Sequence, residues 1–152
     1  MLLALGAAVP VVAFGVVPIF VRHTVVEPPP PSAAPATQAL PEPSPVVLQG
    51  TLRRVDAVHY GSGRVTLTAS ASGRVLRFEG VDIAGAPNMY VYLSDRADGQ
   101  PGQYNDLGPL KATNGSFNYT VTQDLDLSSV RAVVIWCRAF SVTVTYAPLT
   151  VT

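Results

Sequence analysis

The stretch Val133-Val134-Ile135-Trp136-Cys137 determines the fold more than any other part of the 152-residue sequence. Its five consecutive apolar residues leave neither face of a strand to water, and Met89-Tyr90-Val91-Tyr92-Leu93 has the same character. Strands that are apolar on both faces are covered on both sides in folded proteins. Both runs are therefore predicted to be central strands of an antiparallel β-sandwich or of a closed barrel.

From Val46 onward, the sequence alternates apolar and polar residues at a period of two, and no apolar run has helical spacing. This alternation is typical of strands with one buried face. In residues 116–121, for example, Phe117, Tyr119 and Val121 are predicted to point inward. The pattern predicts an all-β domain of about eight strands.

Turn-forming residues separate the predicted strands. Gly61-Ser62-Gly63, Ser72-Gly73 and Asn114-Gly115 are predicted to be hairpin turns, because glycine and asparagine accept the backbone angles that tight turns need. Residues 95–105 carry glycine and proline among polar residues and are predicted to form a long loop.

Residues 1–21 form an uncharged apolar segment long enough to cross a bilayer, which takes about 20 residues. A cleaved secretory signal has a basic start and a small-residue cleavage site, and this segment has neither. A retained single-pass transmembrane anchor is therefore predicted, with an uncleaved signal as the alternative. The single Arg22 behind the segment is too little charge to set its orientation.

Residues 22–46 are predicted to be a proline-rich linker, and residues 47–152 the β domain. Eight of the fourteen prolines lie between Glu27 and Pro45, and each removes an amide donor and fixes φ. Polyproline II, at about 3.1 Å per residue, is the expected state of this segment. Its nineteen residues would then form a semi-rigid stalk of up to about 60 Å between anchor and domain.

Charge and cysteine content exclude several classes of function. The ten basic residues balance the ten acidic ones, which argues against nucleic acid as a partner because phosphate binding needs a basic excess. A single cysteine excludes an internal disulfide and a cysteine-rich zinc or iron–sulfur site, and no metal site is predicted. The motifs of serine hydrolases, zinc proteases and phosphate-binding loops do not occur. An electron-transfer or binding module is therefore favoured over a catalyst.

Short motifs occur in a characteristic order along the predicted β domain. They are Gly50 with His59 and Gly63; Leu76-Arg77-Phe78; Val91-Tyr92-Leu93-Ser94; Asp106-Leu107-Gly108-Pro109-Leu110-Lys111; Gly115 with Tyr119; residues 133–142; and Ala147-Pro148-Leu149. The series resembles the electron-transfer DM-thirteen domain family, the module that accompanies DOMON domains in animal proteins. The resemblance covers about residues 48–150, and the stretch from Ile135 to Val142 is its most specific piece.

This resemblance implies a β-rich domain outside the cytoplasm with a redox or electron-transfer role. In the family that role is centred on the cysteine, either as a bare thiol or as a ligand to a prosthetic group such as haem. By the resemblance, Cys137 is the redox candidate, and a redox partner protein is implied. The Cys-x-x-Cys-His motif of covalently attached haem does not occur, so the cofactor is not identified.

Cys137 has two interpretations from its position. It ends a predicted central strand, and free cysteine is among the most buried residue types, which favours a structural thiol. Arg138 follows directly, and a neighbouring cation lowers a thiol pKa and favours the reactive thiolate. A turn towards Phe140 would also bring the sulfur close to a loop. The alternative to a redox module is a non-catalytic binding or adhesion module, with Cys137 in the core and residues 95–106 in recognition.

His59 and Met89 are secondary ligand candidates, because histidine and methionine both ligate haem iron. A histidine near a turn is more often locally hydrogen-bonded, and a methionine beside a buried strand more often fills core. Trp136 precedes the cysteine, so its ring is predicted to face the opposite side of the strand, among aromatic neighbours. The predicted neighbours are Tyr90, Tyr92 and Tyr119.

Overall fold

A computed structural model of the chain describes residues 22–30 and 45–152, and strands dominate these residues. Within these two ranges, ten strands form two sheets, and one 3-10 turn lies at Leu127–Ser129. The all-β prediction is therefore confirmed. The sequence pattern predicted about eight strands because the two shortest ones, of three and two residues, are too short to show a periodicity.

The two runs that are apolar on both faces lie side by side. They form β5 (Met89–Ser94) and β8 (Ala132–Cys137), the two central strands of a four-stranded sheet, as predicted. The edges of this sheet are β6 (Tyr104–Pro109) and β9 (Val142–Pro148). All three pairings are antiparallel.

A second sheet, of six strands, packs against the first. In spatial order its strands are β1 (Thr24–Val26), β7 (Asn114–Val121), β4 (Gly73–Ile83), β3 (Gly61–Ser70), β2 (Val46–Thr51) and β10 (Thr150–Val151). The two sheets do not close into one another. Of the two predicted architectures, the sandwich is therefore correct and the closed barrel is wrong.

The main hydrophobic core fills the space between the two sheets. Phe78 and Phe117 stack there with ring centroids 4.9 Å apart, and Tyr119 packs edge-on to Phe78 at 5.9 Å. The Tyr119 hydroxyl donates a hydrogen bond to the Pro109 carbonyl (2.9 Å), which links β7 to the end of β6. Phe117, Tyr119 and Val121 are all buried, so their predicted inward orientation is confirmed.

The outer face of the four-stranded sheet carries a second, aromatic cluster. Its members are Tyr90, Tyr92, Ala132, Val134, Trp136 and Tyr146. The loop of residues 95–103 packs on this face: the Gly99 carbonyl accepts a hydrogen bond from Thr143 (2.6 Å), and the Gln100 carbonyl accepts one from Ser94 (2.9 Å). This loop is the second cover that strands apolar on both faces require.

Two of the three predicted hairpin turns lie inside strands instead. Ser70 and Gly73 do close the tight turn between β3 and β4. Gly61–Gly63, in contrast, begins β3, where Gly63 has a φ of 104° and the register shifts. Asn114 and Gly115 begin β7, and a Cβ on Gly115 would overlap the carbonyl oxygen of Val25. Gly63 therefore lies in a β-bulge, and Gly115 allows two strands to approach closely. In the sequence, glycines in these two roles look the same as glycines in turns.

The region predicted to be a linker from residue 22 begins with a strand. In β1, Thr24, Val25 and Val26 pair in parallel with Asn114, Gly115 and Ser116. The amides of Thr113 and Asn114 both donate to the His23 carbonyl at 3.0 Å, which continues the ladder upstream. A parallel pairing over a sequence separation of 90 residues leaves no local pattern, which explains why it was not predicted.

Glu27 fastens the end of β1 to the sheet. Its carboxylate accepts hydrogen bonds from the Asn118 amide (2.9 Å) and from Lys111 Nζ (3.0 Å). The hydrogen bond from Lys111 is the main cause that lowers the pKa of Glu27, and the Asn118 amide adds to it. Residues 31–44, the remaining part of the predicted linker, lie outside the described residues.

The predicted transmembrane anchor, residues 1–21, also lies outside the described residues. Within 22–30 and 45–152, no helix has the length and apolarity needed to cross a membrane.

Replacing Gly115 with alanine is expected to release β1 from β7. Gly115 has a φ of 106°, and its Cβ would meet the Val25 backbone, whereas Gly108 has a φ of 100° and open space around it. Both Gly→Ala changes should cost about 1–2 kcal/mol through the left-handed backbone. Only Gly115→Ala should also speed amide exchange at Glu27, whose amide donates to the Ser116 carbonyl. Equal exchange in the two variants would contradict the close approach of β1.

Candidate functional site

Several loops meet at one end of the sandwich, here called the cleft end. They are the segments between β2 and β3 (residues 52–60), β4 and β5 (84–88), β6 and β7 (110–113), and β8 and β9 (138–141). The start of β1 lies at this end too, because β1 runs parallel to β7. Each segment follows or precedes a strand end, so side chains far apart in sequence come together here.

A cleft of about 470 Å³ opens between two of these segments, the β4–β5 and the β6–β7 connections. Its walls are residues 85–90 and 109–113, and His23 borders it. Pro87, Met89 and Leu110 supply apolar wall, and Lys111 is the charged side chain among the lining residues. Clefts of this size, mostly apolar with a few polar groups, are typical of small-ligand sites.

Cys137 lies directly behind one wall of the cleft. It ends β8, is fully buried in the main core, and its Sγ donates a hydrogen bond to the Pro87 carbonyl (3.1 Å). Its register partner on β5 is Met89, which packs against the same core and lines the cleft. The sulfur therefore does lie close to a loop, but that loop is 84–88 rather than the turn that carries Phe140.

Arg138 faces the opposite side of the sheet from the Cys137 thiol. Its guanidinium carbon stacks 3.5 Å above the centre of the Tyr90 ring, and its Nε donates to the Tyr92 hydroxyl (2.7 Å). An ion pair with Asp106 completes these contacts. All of these partners lie on β5 and β6. Arg138 was predicted to act on the thiol as its neighbour, but its guanidinium makes its contacts on the other side of the sheet.

Tyr92 and Tyr104 stack on the outer face, with ring centroids 4.0 Å apart. Burial is the main cause that raises the pKa of Tyr92, and the hydrogen bond from Arg138 acts in the opposite direction. Trp136 belongs to this aromatic cluster and so faces away from Cys137, as predicted. Tyr119, predicted to be its neighbour, packs in the main core on the other side.

His59 is held within its own loop. Its Nδ1 lies 2.6 Å from Asp56 Oδ2, and the amides of Val58 and His59 donate to Asp56 Oδ1 at 2.8 and 2.7 Å. These hydrogen bonds, that from the His59 side chain above all, lower the pKa of Asp56 to about 2. Phe140, in the β8–β9 turn, is 67% exposed.

Comparison with known proteins identifies the family of this chain. A family model described as electron transfer DM13 matches residues 54–149. The chain belongs to this family. The searches of curated proteins and of solved structures each found no match.

The matched DM13 region contains the main parts of the cleft end, including Cys137, Met89 and His59, and it leaves out β1 and β2. The resemblance noted from the sequence motifs is thereby confirmed. His23 lies outside the match and borders the cleft only because β1 pairs with β7. The sequence pattern predicted no role for His23, which lies in the predicted linker, and the β-branched run Thr24-Val25-Val26 was the one local signal of a strand there.

The three predicted ligands do not converge on a haem or metal in this DM13 domain. Cys137 is buried and bonded to Pro87, His59 is engaged with Asp56, and only Met89 lines the cleft. Among the described residues, no group of three or more His, Cys, Asp and Glu side chains is placed to hold a metal ion. In that part of the chain, every buried side-chain nitrogen and oxygen already has a hydrogen-bond partner, so none is left for a cofactor to bind. The residues present therefore do not fit a haem held by this set.

The loop that carries His59 should stay ordered down to an unusually low pH. The folded pKa of Asp56 is about 2, against 3.8 for an unperturbed aspartate, so its loop-ordering contribution is complete above about pH 4 and is lost as the pH falls through about 2. Carbon-detected NMR titration of the Asp56 carboxyl should show this midpoint. In Asp56→Asn, the Val58 and His59 amide shifts should no longer move in that window. A midpoint near 3.8 would contradict the observed hydrogen bonds.

Removing the guanidinium of Arg138 should raise the pKa of Tyr92 further. Arg138 is the hydrogen-bond donor and the positive charge that favour the phenolate of Tyr92 against the effect of burial. In Arg138→Met, NMR titration of the Tyr92 ring should therefore show a higher midpoint than in the parent chain. Arg131→Met is the matched control, since Arg131 bonds to the Ser128 carbonyl instead. An unchanged Tyr92 midpoint in Arg138→Met would contradict this contact.

Proposed function

We propose that this chain is a membrane-anchored electron-transfer module, that its β domain lies outside the cytoplasm, and that its redox group is the Cys137 thiol. Membership of the DM13 family supports the electron-transfer role. One observation carries the assignment to Cys137: the only sulfhydryl of the chain lies directly behind Pro87, a wall residue of the cleft.

The geometry favours a bare thiol over a metal or haem ligand. A ligating sulfur needs open space and further donors around the metal, whereas Cys137 Sγ is enclosed by the main core and bonded to a backbone carbonyl. His59, the other strong donor of the predicted set, is bonded to Asp56 in its own loop. The thiol itself is therefore the redox-active group of this proposal.

The Pro87 carbonyl and the surrounding core shield the thiol from a partner. The sulfur donates its hydrogen bond to this carbonyl and is fully buried, so no second sulfur can approach it while the loop is in place. The loop 84–88 must therefore move before the sulfur reacts. Asn88 ends this loop with a φ of 54°, a conformation that asparagine tolerates better than most residues, and its carbonyl accepts a hydrogen bond from the Arg138 amide (3.1 Å).

Once the loop has opened, the proposed transfer is thiol–disulfide exchange with a partner protein. The Cys137 proton passes to water, and the thiolate attacks one sulfur of the partner's disulfide. A new S–S bond forms to Cys137, and the partner's second sulfur leaves as a thiolate. Formally one electron thus passes from the Cys137 sulfur to the sulfur that leaves, and Cys137 stays joined to the partner as a mixed disulfide. Attack of the released thiolate on this mixed disulfide reverses the step and restores the Cys137 thiolate.

Membrane anchoring and the location of the domain rest on sequence and chemistry. Residues 1–21 are uncharged and long enough to span a bilayer. A domain outside the cytoplasm meets an oxidising environment, where an exposed single thiol is oxidised or paired. Complete burial of Cys137 protects the thiol under these conditions until a partner engages the loop.

A second candidate is a non-catalytic binding module in which Cys137 only fills the core. Its supporting observation is the same burial, because free cysteine behaves as a small apolar residue in protein interiors. The two candidates differ in how the thiol becomes accessible. A redox thiol needs a local opening at the cleft, whereas a core thiol is exposed only when the whole domain unfolds.

Alkylation kinetics under native conditions separate these candidates. We expect Cys137 to react with iodoacetamide at least about ten-fold faster than global unfolding allows, because opening loop 84–88 costs less than unfolding the domain. The matched control is Val133→Cys in a Cys137→Ser background. Val133 is equally buried on the same face of β8, and it lies four residue pairs along the ladder from Cys137, farther from the cleft wall.

Mass spectrometry after treatment with oxidised glutathione gives the second readout. Cys137 should form one mixed disulfide that dithiothreitol reverses, with the sandwich intact by circular dichroism, and the position 133 thiol should react much more slowly. Equal rates at both positions, matching the unfolding rate, would overturn the redox role of Cys137 and support the binding module.

A further inference from the structure

We propose that the cleft end of the domain lies directly against the bilayer that holds residues 1–21, instead of at the far end of a stalk. The proposal rests on the membrane anchor of the proposed function. It commits to one occupant of this surface, the lipid headgroup region around the chain's own predicted span. It reverses the arrangement that the proline-rich sequence suggested.

The first support is that the residues next to the predicted span are fixed to the cleft end. The His23 carbonyl accepts hydrogen bonds from the amides of Thr113 and Asn114 (3.0 Å each), and the His23 amide donates to Thr113 Oγ1 (3.1 Å). Arg22 pairs with Asp82 near the end of β4. Consecutive Cα atoms are about 3.8 Å apart. The predicted span ends at residue 21, directly before Arg22, so no spacer lies between the span and the cleft end.

The second support is the direction of β1. Because β1 is parallel to β7, the chain enters the sheet at the cleft end. After Val26, the last residue of β1, it continues towards the opposite end. β2 begins at that opposite end, since Val46 pairs with Ala69 near the β3–β4 turn. Residues 27–45 thus connect the end of β1, which lies beside the first half of β7, to the start of β2 at the opposite end. The proline-rich segment follows the first strand of the domain and does not separate the anchor from the domain.

The spacing of the strands is consistent with this path. In the sheet, β1 and β2 are separated by β7, β4 and β3, which amounts to four inter-strand steps. At about 4.8 Å per step the chain must cover roughly 19 Å across the sheet. The nineteen residues of 27–45 are ample for this distance, since an extended chain covers about 3.3 Å per residue.

The third support is the chemistry of the loops at the cleft end. Val58 is 69% exposed, Phe140 is 67% exposed and Val55 is 46% exposed, and all three lie on loops of this end. Arg54 lies in the same loop as two of them. Exposed apolar side chains beside arginines are typical of surfaces that touch the headgroup region. Other exposed large apolar residues lie on strands: Val26, Val46, Tyr104 and Val151.

This arrangement restricts what reaches the cleft. The wall that covers Cys137 would face the membrane surface, so a partner that opens loop 84–88 must approach along the bilayer or be embedded in it. A freely diffusing protein would meet mainly the opposite end, where the β3–β4 turn and residues 122–126 lie.

Depth-dependent fluorescence quenching tests the proposal on the full chain in lipid vesicles. Two variants in a Cys137→Ser background carry one label each: Val58→Cys in the cleft-end loop, and Ala71→Cys in the exposed β3–β4 turn at the opposite end. An environment-sensitive fluorophore on each is quenched by headgroup-labelled nitroxide lipids. We expect strong quenching at position 58 and little at position 71.

The outcomes separate the anchor from the orientation. If the chain floats with the vesicles but both labels are equally unquenched, or position 71 is quenched more, the cleft-end orientation is wrong and the anchor stands. If the chain does not float with the vesicles, the anchor itself is wrong, and the proposal falls with it. Circular dichroism of both variants confirms that the sandwich is intact.

Discussion

Burial of β8 on both faces is the constraint on which the rest of the structure depends. One face of the strand packs into the main core between the sheets, and the other packs into the aromatic cluster under the loop of residues 95–103. Because side chains alternate along a strand, Trp136 and Cys137 must face opposite covers. The dry environment of the thiol and the outward position of Arg138 both follow from this alternation, so the cleft end has two chemically distinct sides.

The sequence was most informative where this constraint acts locally. Two five-residue apolar runs predicted two central strands correctly, because a strand without a polar face has no other stable place. The cover on the outer side was not predictable, since residues 95–103 are polar and pack through the Gly99 backbone. The strand β1 was missed because its pairing is parallel and distant, and Gly115 permits it through the absence of a side chain.

The candidate site was predictable only in part, for a related reason. The sequence placed Cys137 at a strand end, but the Pro87 carbonyl that its sulfur meets is 50 residues away in the chain. Arg138 looked like a neighbour of the thiol because it is adjacent in sequence, yet strand geometry sends it to Tyr90 and Tyr92. His23 gained a place beside the cleft solely through β1. Adjacency in sequence was thus a poor guide wherever the chain crosses from one sheet face to the other.

The proposed anchor and the proposed redox group belong to one physical arrangement. The loop that covers a fully buried thiol opens only rarely. A partner that diffuses freely in solution would therefore usually meet the cleft wall in its closed state. A partner held in the same bilayer has a far higher effective concentration at the cleft, and each opening then has a greater chance of being used. The parallel strand β1 is the element that would couple these two features, because it brings the residues behind the predicted span to the loops of the cleft end. In this arrangement the protection of the thiol and its access to a partner do not conflict, since burial acts against solvent and tethering acts in favour of membrane-bound partners.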